Sequence, residues 1–218
     1  MPNLEQLFGW KRLLGDRLQQ AGNASVARLA LVHKIAEGGS RECWRHPHSS
    51  QLCIKVNKPN RQRDQNKLDW HYARSLMRRR VAGPHLPRYH GLTMTDRGEG
   101  LVMDLIVDLD GTPSPTFLKA VRSGLFTQEQ ITRIVDEAFE WIRRKNIIVA
   151  DYGYDNLMVQ QQADGTYRLV FIDGLGGRYF NLRYRIRSRF SIPQPRRAQE
   201  FRDKLEQVIQ REYGSIRH

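Results

Sequence analysis

Residues 147–159 read IIVADYGYDNLMV: a β-branched apolar run, a short polar loop and a second apolar run, with Asp151 and Asn156 five residues apart in the loop. Just before it stands the clearest helical pattern in the chain, TQEQITRIVDEAFEWIRRK over 127–145. Thr127 and Gln130 there have the spacing of a capping box, and Ile131, Ile134, Val135, Ala138, Phe139 and Ile142 share one face. Just after it, LMVQQQADGTYRLVFIDG (157–174) predicts a hairpin that turns at Ala-Asp-Gly and ends in Asp173-Gly174. The polar loop is therefore held between a helix and a hairpin.

Toward the N-terminus the texture changes. Residues 29–56, LALVHKIAEGGSRECWRHPHSSQLCIKV, alternate short apolar runs with turn residues and predict three strands joined by two turns. A charged helical stretch over 61–80 follows, then the Pro- and Gly-rich loop GPHLPRYHG, then GLVMDLIVDLDG, a strand running into a turn. At the front, residues 3–20 place Leu4, Leu7, Phe8, Leu14 and Leu18 at helical spacing among basic residues. This reads as an amphipathic helix packed on the domain behind it or lying on a membrane surface. At the back, RYFNLRYRIRSRF (178–190) alternates Arg with apolar and aromatic residues, and a helix is expected over about 197–211.

The chain of 218 residues can bury a full-sized core, and no window approaches the ~18 uninterrupted apolar residues of a membrane span. Charge is the outlier. Lys and Arg number 36 against 23 Asp and Glu, a net +13, so an anionic partner is expected. An anionic membrane surface or a phosphorylated small molecule fits better than nucleic acid, because no recognition module with its usual signature accompanies the basic residues. Two cysteines, Cys43 and Cys53, make neither a disulfide framework nor a four-ligand zinc site, and His46, His48, His85 and His90 lack metal spacing. With no signal peptide visible, the expected location is the cytoplasm, peripheral at the inner membrane if the basic surface binds lipid.

Four features occur in a telling order: Gly38-Gly39 between two strands, Lys55 inside the next strand, Asp151 with Asn156, and Asp173-Gly174 after a hairpin. Each has an ordinary reading. The glycines suit any turn, Lys55 suits a strand with its head in water, and Asp and Asn favour turns for local hydrogen-bonding reasons. Their order resembles that of the protein-kinase fold, in which a Gly-rich hairpin covers the phosphates, a strand Lys holds them, and a loop Asp serves the acceptor hydroxyl. The loop Asn and the strand-end Asp bind metal in that fold.

At closer range EGGSRECWRHPHSSQLCIKV, LPRYHG, GLVMDLIVDLDGTPS and IIVADYGYDNLMV resemble the PhoP regulatory network protein YrbL family, a small branch of the protein-kinase-like superfamily. The similarity covers roughly residues 31–185. It implies an α+β, protein-kinase-like two-lobed fold with a small β-rich N-lobe and a shortened helical C-lobe. The expected division is an N-terminal helical extension over 1–28, an N-lobe over 29–105, and a C-lobe with a basic tail over 106–218.

The resemblance further implies ATP between the lobes, near the connecting segment Asp104 to Asp108, with Gly38, Gly39 and Lys55 on its phosphates. Mg²⁺ would sit on Asn156 and Asp173, and Asp151 would face the acceptor. Asp69 takes the position of the helix carboxylate that pairs with the strand Lys, so an Asp69–Lys55 pair is expected.

Departures from that pattern matter. Val149, Ala150 and Gly153 stand where protein kinases commonly carry His, Arg and Lys, and no Phe follows Asp173. With 45 residues after Asp173, the expected acceptor is a small or lipid-linked hydroxyl compound, such as an envelope or lipopolysaccharide sugar, rather than a folded protein. The expectation from a different class is a pseudokinase, an adaptor or nucleotide sensor in bacterial envelope-stress regulation.

Overall fold

The computed structural model describes residues 28–59, 64–151, 153–177, 181, 184, 186 and 195–216. The helix expected over 3–20 and most of the basic stretch 178–190 lie outside the described residues. The fold is α+β: a five-stranded antiparallel sheet in the N-terminal part, followed by helices and a two-stranded hairpin.

The three expected strands are β1 (Lys34–Glu37), β2 (Arg41–His46) and β3 (Ser49–Asn57). Helix α1 (Gln65–Arg78) starts where Asp64 accepts from Lys67 N at 3.1 Å. Beyond it the chain returns to the sheet as β4 (Tyr89–Thr95) and β5 (Gly98–Asp104), giving the order β1-β2-β3-β5-β4. The expected loop GPHLPRYHG therefore ends at Arg88. From Tyr89 the backbone pairs with β5 along the sheet edge, where Pro no longer interrupts the donors.

Strand alternation sorts side chains onto two faces. Trp44, Ile54, Val56 and Val102 pack with Leu31 on one. Cys53, Met103 and Leu105 cluster with Ile35, Cys43, Tyr89 and Val107 in a second group. Lys55 is directly opposite Cys43 on β2 and Leu101 on β5, so it belongs to the same face as Cys43 and Cys53.

After β5 the connector is fixed by Asp108. Its carboxylate accepts from Ser114 Oγ at 2.6 Å and from Gln161 N at 2.9 Å, and Gln160 donates to the Val107 carbonyl at 2.7 Å. The DLDGTPS segment is thus a turn that fastens the connector to the later hairpin. Short helix α2 (Phe117–Arg122) follows, then α3 (Gln128–Arg144), whose Thr127–Gln130 capping box forms as expected. The hairpin is β6 (Leu157–Gln161) with β7 (Tyr167–Phe171). The last helix, α4 (Pro195–Ile216), is longer than the expected 197–211. Leu68, Tyr72 and Leu76 of α1 join α3, α4 and the hairpin in the largest core cluster, so α1 is built into the helical part as well as lying beside the sheet. Among the described residues no helix is long and apolar enough to cross a membrane.

Candidate functional site

Lys55 sits two residues before the end of β3 with 7% of its surface exposed. Its Nζ donates to the Ile172 carbonyl at 2.7 Å and lies 3.3 Å from Asp173 Oδ2. A buried ammonium needs such partners, since desolvating it without them is costly. The sheet and the residue after the hairpin are thereby joined through one side chain.

The polar loop that decided the sequence reading meets the same point. Ala150 N and Asp151 N both donate to the Gly174 carbonyl, at 2.7 and 3.0 Å, and Gly176 N donates to the Ile148 carbonyl at 2.8 Å. Val149 bridges to Leu175, and Ile172 N donates to the Asn156 carbonyl at 2.9 Å. Segments 148–156 and 172–176 therefore lie side by side.

Gly174, at φ +77°, is where they are closest. A Cβ there would stand 2.8 Å from Asn156 Nδ2, 3.0 Å from the Asp151 carbonyl and 3.2 Å from Asp151 Cβ. Gly176, at φ +80°, lies against Tyr72, whose ring carbon would be 2.6 Å from an added Cβ. Tyr72 in turn accepts from Ile148 N at 2.7 Å, which couples α1 to the loop. Asp151, Asn156 and Asp173 are brought to one place, and Asp151 is exposed there.

One expected pairing is corrected. Asp69 does not pair with Lys55; Arg41 Nη1 donates to Asp69 Oδ2 at 2.7 Å. The guanidinium's other nitrogen, Nη2, donates to Asp173 Oδ2. Asp69 is one methylene shorter than Glu, and an Arg fork spans two carboxylates where an ammonium would serve one. Nη1 also donates to Asn66 Oδ1 at 3.3 Å, and Asn66 is itself fully buried, donating to the Lys55 and Glu99 carbonyls at 2.9 and 3.1 Å. Gln65 donates to Asp69 Oδ1 at 2.9 Å.

Sequence reasoning missed Arg41, yet a signal was there. It lies two residues before Cys43 on β2, so strand alternation assigns it to the face that carries Lys55.

The electrostatics follow from this cluster. Burial would raise the Asp173 carboxyl, but Lys55 and Arg41 outweigh it and hold the group well below the usual carboxylate range. Burial wins at Asp69, whose carboxyl is raised although Arg41 opposes the shift. Cys43 is lowered to about 7, the neighbouring Cys53 thiol being the leading cause, with burial opposing and Lys55 and Arg41 assisting; the Cys53 thiol itself donates to the Asp104 carbonyl at 3.7 Å.

The other expected residues have these places. Gly38 and Gly39 form the β1–β2 turn, where Gly38 N donates to the Arg41 carbonyl at 2.8 Å. Neither is forced by backbone strain, and a Cβ on Gly39 would meet nothing within 4 Å. Asp104 ends β5, with its carboxylate 2.7 Å from His90 Nε2 and 3.0 Å from Arg88 N. That side chain braces the start of the connector.

For a divalent ion, Asp173 and Asn156 supply oxygen donors of the type Mg²⁺ takes, and such ions keep several ligands from phosphate and water. Gly174 N already donates to Asp173 Oδ1 at 2.8 Å, and Oδ2 is shared by Lys55 and Arg41. The donor types fit, with Oδ2 meeting cations of the chain itself. Among the described residues no cluster of three or more His, Cys, Asp or Glu side chains could hold a metal.

The model of the PhoP regulatory network protein YrbL family matches residues 28–206. The chain is 26% identical over 155 residues to a protein named "Uncharacterized protein YrbL" in Escherichia coli (strain K12), covering 69% of this chain and 74% of that protein. It is similar to the same degree, over the same shares, to the YrbL protein of Shigella flexneri. The match spans the sheet, the polar loop, the hairpin and much of α4, and the chain belongs to the PhoP regulatory network protein YrbL family.

Proposed function

We propose that the protein is an ATP- and Mg²⁺-dependent phosphotransferase with a kinase-like two-lobed arrangement, acting on a small or lipid-linked hydroxyl acceptor. The observation that carries this reading is the contact of Lys55 with Asp173 and the Ile172 carbonyl, next to a loop that presents Asp151 and Asn156. Phosphoryl transfer asks mainly for positioning and charge neutralisation, and these are the groups it uses.

Lys55 would hold phosphate oxygens, and exposed Asp151 would orient the acceptor hydroxyl and receive its proton. Asn156 and Asp173 would hold the divalent ion, which when bound neutralises charge developing on the transferred group. The buried group of Cys53, Met103 and Leu105, with partly buried Ile35 and Val107, would back a base on the Lys55 side of the sheet. A Cβ on Gly39 would meet nothing within 4 Å, so the β1–β2 turn is uncrowded at that point. The net charge of +13 suits an acceptor carried at an anionic membrane face on the cytoplasmic side, such as an envelope sugar.

The test is thermal unfolding with ATP and Mg²⁺, wild type against Asp173→Ala. A nucleotide that binds only the folded state raises its stability by mass action, by about 2.7 kcal/mol at a hundredfold excess over Kd. The reading predicts a metal-dependent rise in wild type that the variant loses. No rise at millimolar ATP sinks it.

A second reading, a pseudokinase adaptor or nucleotide sensor in PhoP-type regulation, is favoured by one observation: a chain cation already sits on Asp173, while Gly153 offers none on the opposite side. Asp151→Ala separates the two. An enzyme keeps ATP binding and loses turnover; an adaptor has no turnover to lose.

A further inference from the structure

Arg41 is the cation of this cluster to which the nucleotide reading assigns no task. Its two ends differ. Nη1 is anchored in the interior by Asp69 and Asn66, with side chains of Arg41 and Asp69 only 5% and 7% exposed. Nη2 points the other way, to Asp173, whose side chain is 27% exposed and forms the open edge of the cluster. One half of the guanidinium is therefore fixed, and the other half faces the place where phosphates would arrive.

Resting on the nucleotide reading above, we infer that Arg41 is a phosphate-binding residue which, without ligand, takes the place of a metal ion at Asp173. On binding, Nη2 exchanges Asp173 for a phosphate oxygen while Nη1 stays on Asp69. Three arguments carry this. First, Asp173 Oδ2 already meets Arg41 and Lys55, so a divalent ion at that oxygen must face two cations until one turns away. Lys55 is also tied to the Ile172 carbonyl. Arg41, held independently by Asp69 and Asn66, can release Asp173 without losing its anchor.

Second, the ligand-free site is balanced in charge. Arg41 and Lys55 match Asp69 and Asp173 in the ligand-free site. When a metal neutralises Asp173, the freed half of Arg41 needs an anion, and phosphate supplies it. Third, Gly153 brings no positive charge to the loop, and a guanidinium fork matches phosphate geometry. Arg41 delivers that charge from the sheet side instead.

The experiment measures Mn²⁺ binding by water-proton relaxation and ATP binding by calorimetry, each with and without the other ligand. Wild type is compared with Arg41→Gln and Arg41→Lys. Arg41→Gln is expected to bind Mn²⁺ alone at least about tenfold more tightly and ATP at least about tenfold more weakly, the scale of one charge-assisted hydrogen bond gained or lost. Arg41→Lys, which keeps the charge but not the fork, is expected to fall between. Should Arg41→Gln fail to fold with Asp69 left unpaired, Arg41→Gln/Asp69→Asn removes both charges and carries the same expectations.

Affinities for Mn²⁺ and ATP within twofold of wild type in these variants, with only the melting temperature lowered, overturn the inference and leave a structural ion pair. If wild type itself binds no ATP with or without metal, the nucleotide reading and the exchange fail together. ATP that binds wild type and variants equally removes the role of Arg41 alone.

Discussion

Lys55 Nζ stands 3.3 Å from Asp173 Oδ2 across 118 residues of chain. The same ammonium donates to the carbonyl of the preceding residue at 2.7 Å, so it ties the far part of β3 to the end of the hairpin. Lys55→Met keeps the stem and removes both bonds. Urea unfolding is expected to show a loss of roughly 1–3 kcal/mol, because the Ile172 carbonyl is left without its charged donor. Unchanged stability would mean that the ammonium swings in solvent.

Asp69 should be energetically coupled to Arg41 much more strongly than to Lys55. Asp69→Ala is expected to cost roughly 3 kcal/mol, since it leaves a buried guanidinium with one carboxylate instead of two. A double-mutant cycle of Asp69→Ala with Arg41→Met should give an interaction of ~1 kcal/mol or more, and one with Lys55→Met less than half of that. The reverse ranking would restore the pair expected from sequence.

Gly174→Ala tests the meeting of the two loop segments. The φ of +77° alone costs an alanine roughly 1–3 kcal/mol, and its Cβ would press on Asn156 and the Asp151 carbonyl. The expected result is a lower melting temperature together with weakened ATP and Mg²⁺ binding. Gly39→Ala, by contrast, meets nothing and should leave stability near wild type. If Gly174→Ala behaves like Gly39→Ala, the close approach of the segments is wrong.

Cys43 should titrate unusually low for a thiol. Its pKa of about 7 means that the thiolate, the reactive form, is about half populated near neutral pH and grows as pH rises through 7. Iodoacetamide labelling is expected to follow a midpoint near 7 at Cys43, while buried Cys53, whose thiol is raised above its ordinary value, stays unlabelled. Because Lys55 and Arg41 assist the low value, Lys55→Met should move the midpoint upward. A midpoint near 9 in wild type would refute the lowering of Cys43 by Cys53, Lys55 and Arg41.

Much of the fold was legible because it depends on local pattern. The Thr127–Gln130 cap, the apolar face of α3 and the Ala-Asp-Gly hairpin turn are each settled within a few residues, and all three form. β4 was missed because its residues, YHGLTMT, carry little apolar alternation. Their strand character comes from pairing with β5, a contact that the local composition does not encode. Helix α2 was missed for a similar reason, since its six residues are too few for a clear period and it is held by burial of Phe117, Ala120 and Val121.

In the candidate site, local pattern alone names the polar residues on offer: Lys55 on a strand, Asp151 and Asn156 in one loop, Asp173-Gly174 after a turn. Motif order sufficed for that, because each residue's place on its own element follows from local periodicity. Which of them pair is a matter of the folded chain. Ion-pair choice depends on reach and on the burial of every competing group, and Arg41, long, forked and placed by β2 on the Lys55 face, reaches both Asp69 and Asp173 where Lys55 reaches one. A carboxylate's partner is set by distances across the fold, and no spacing along the chain records them.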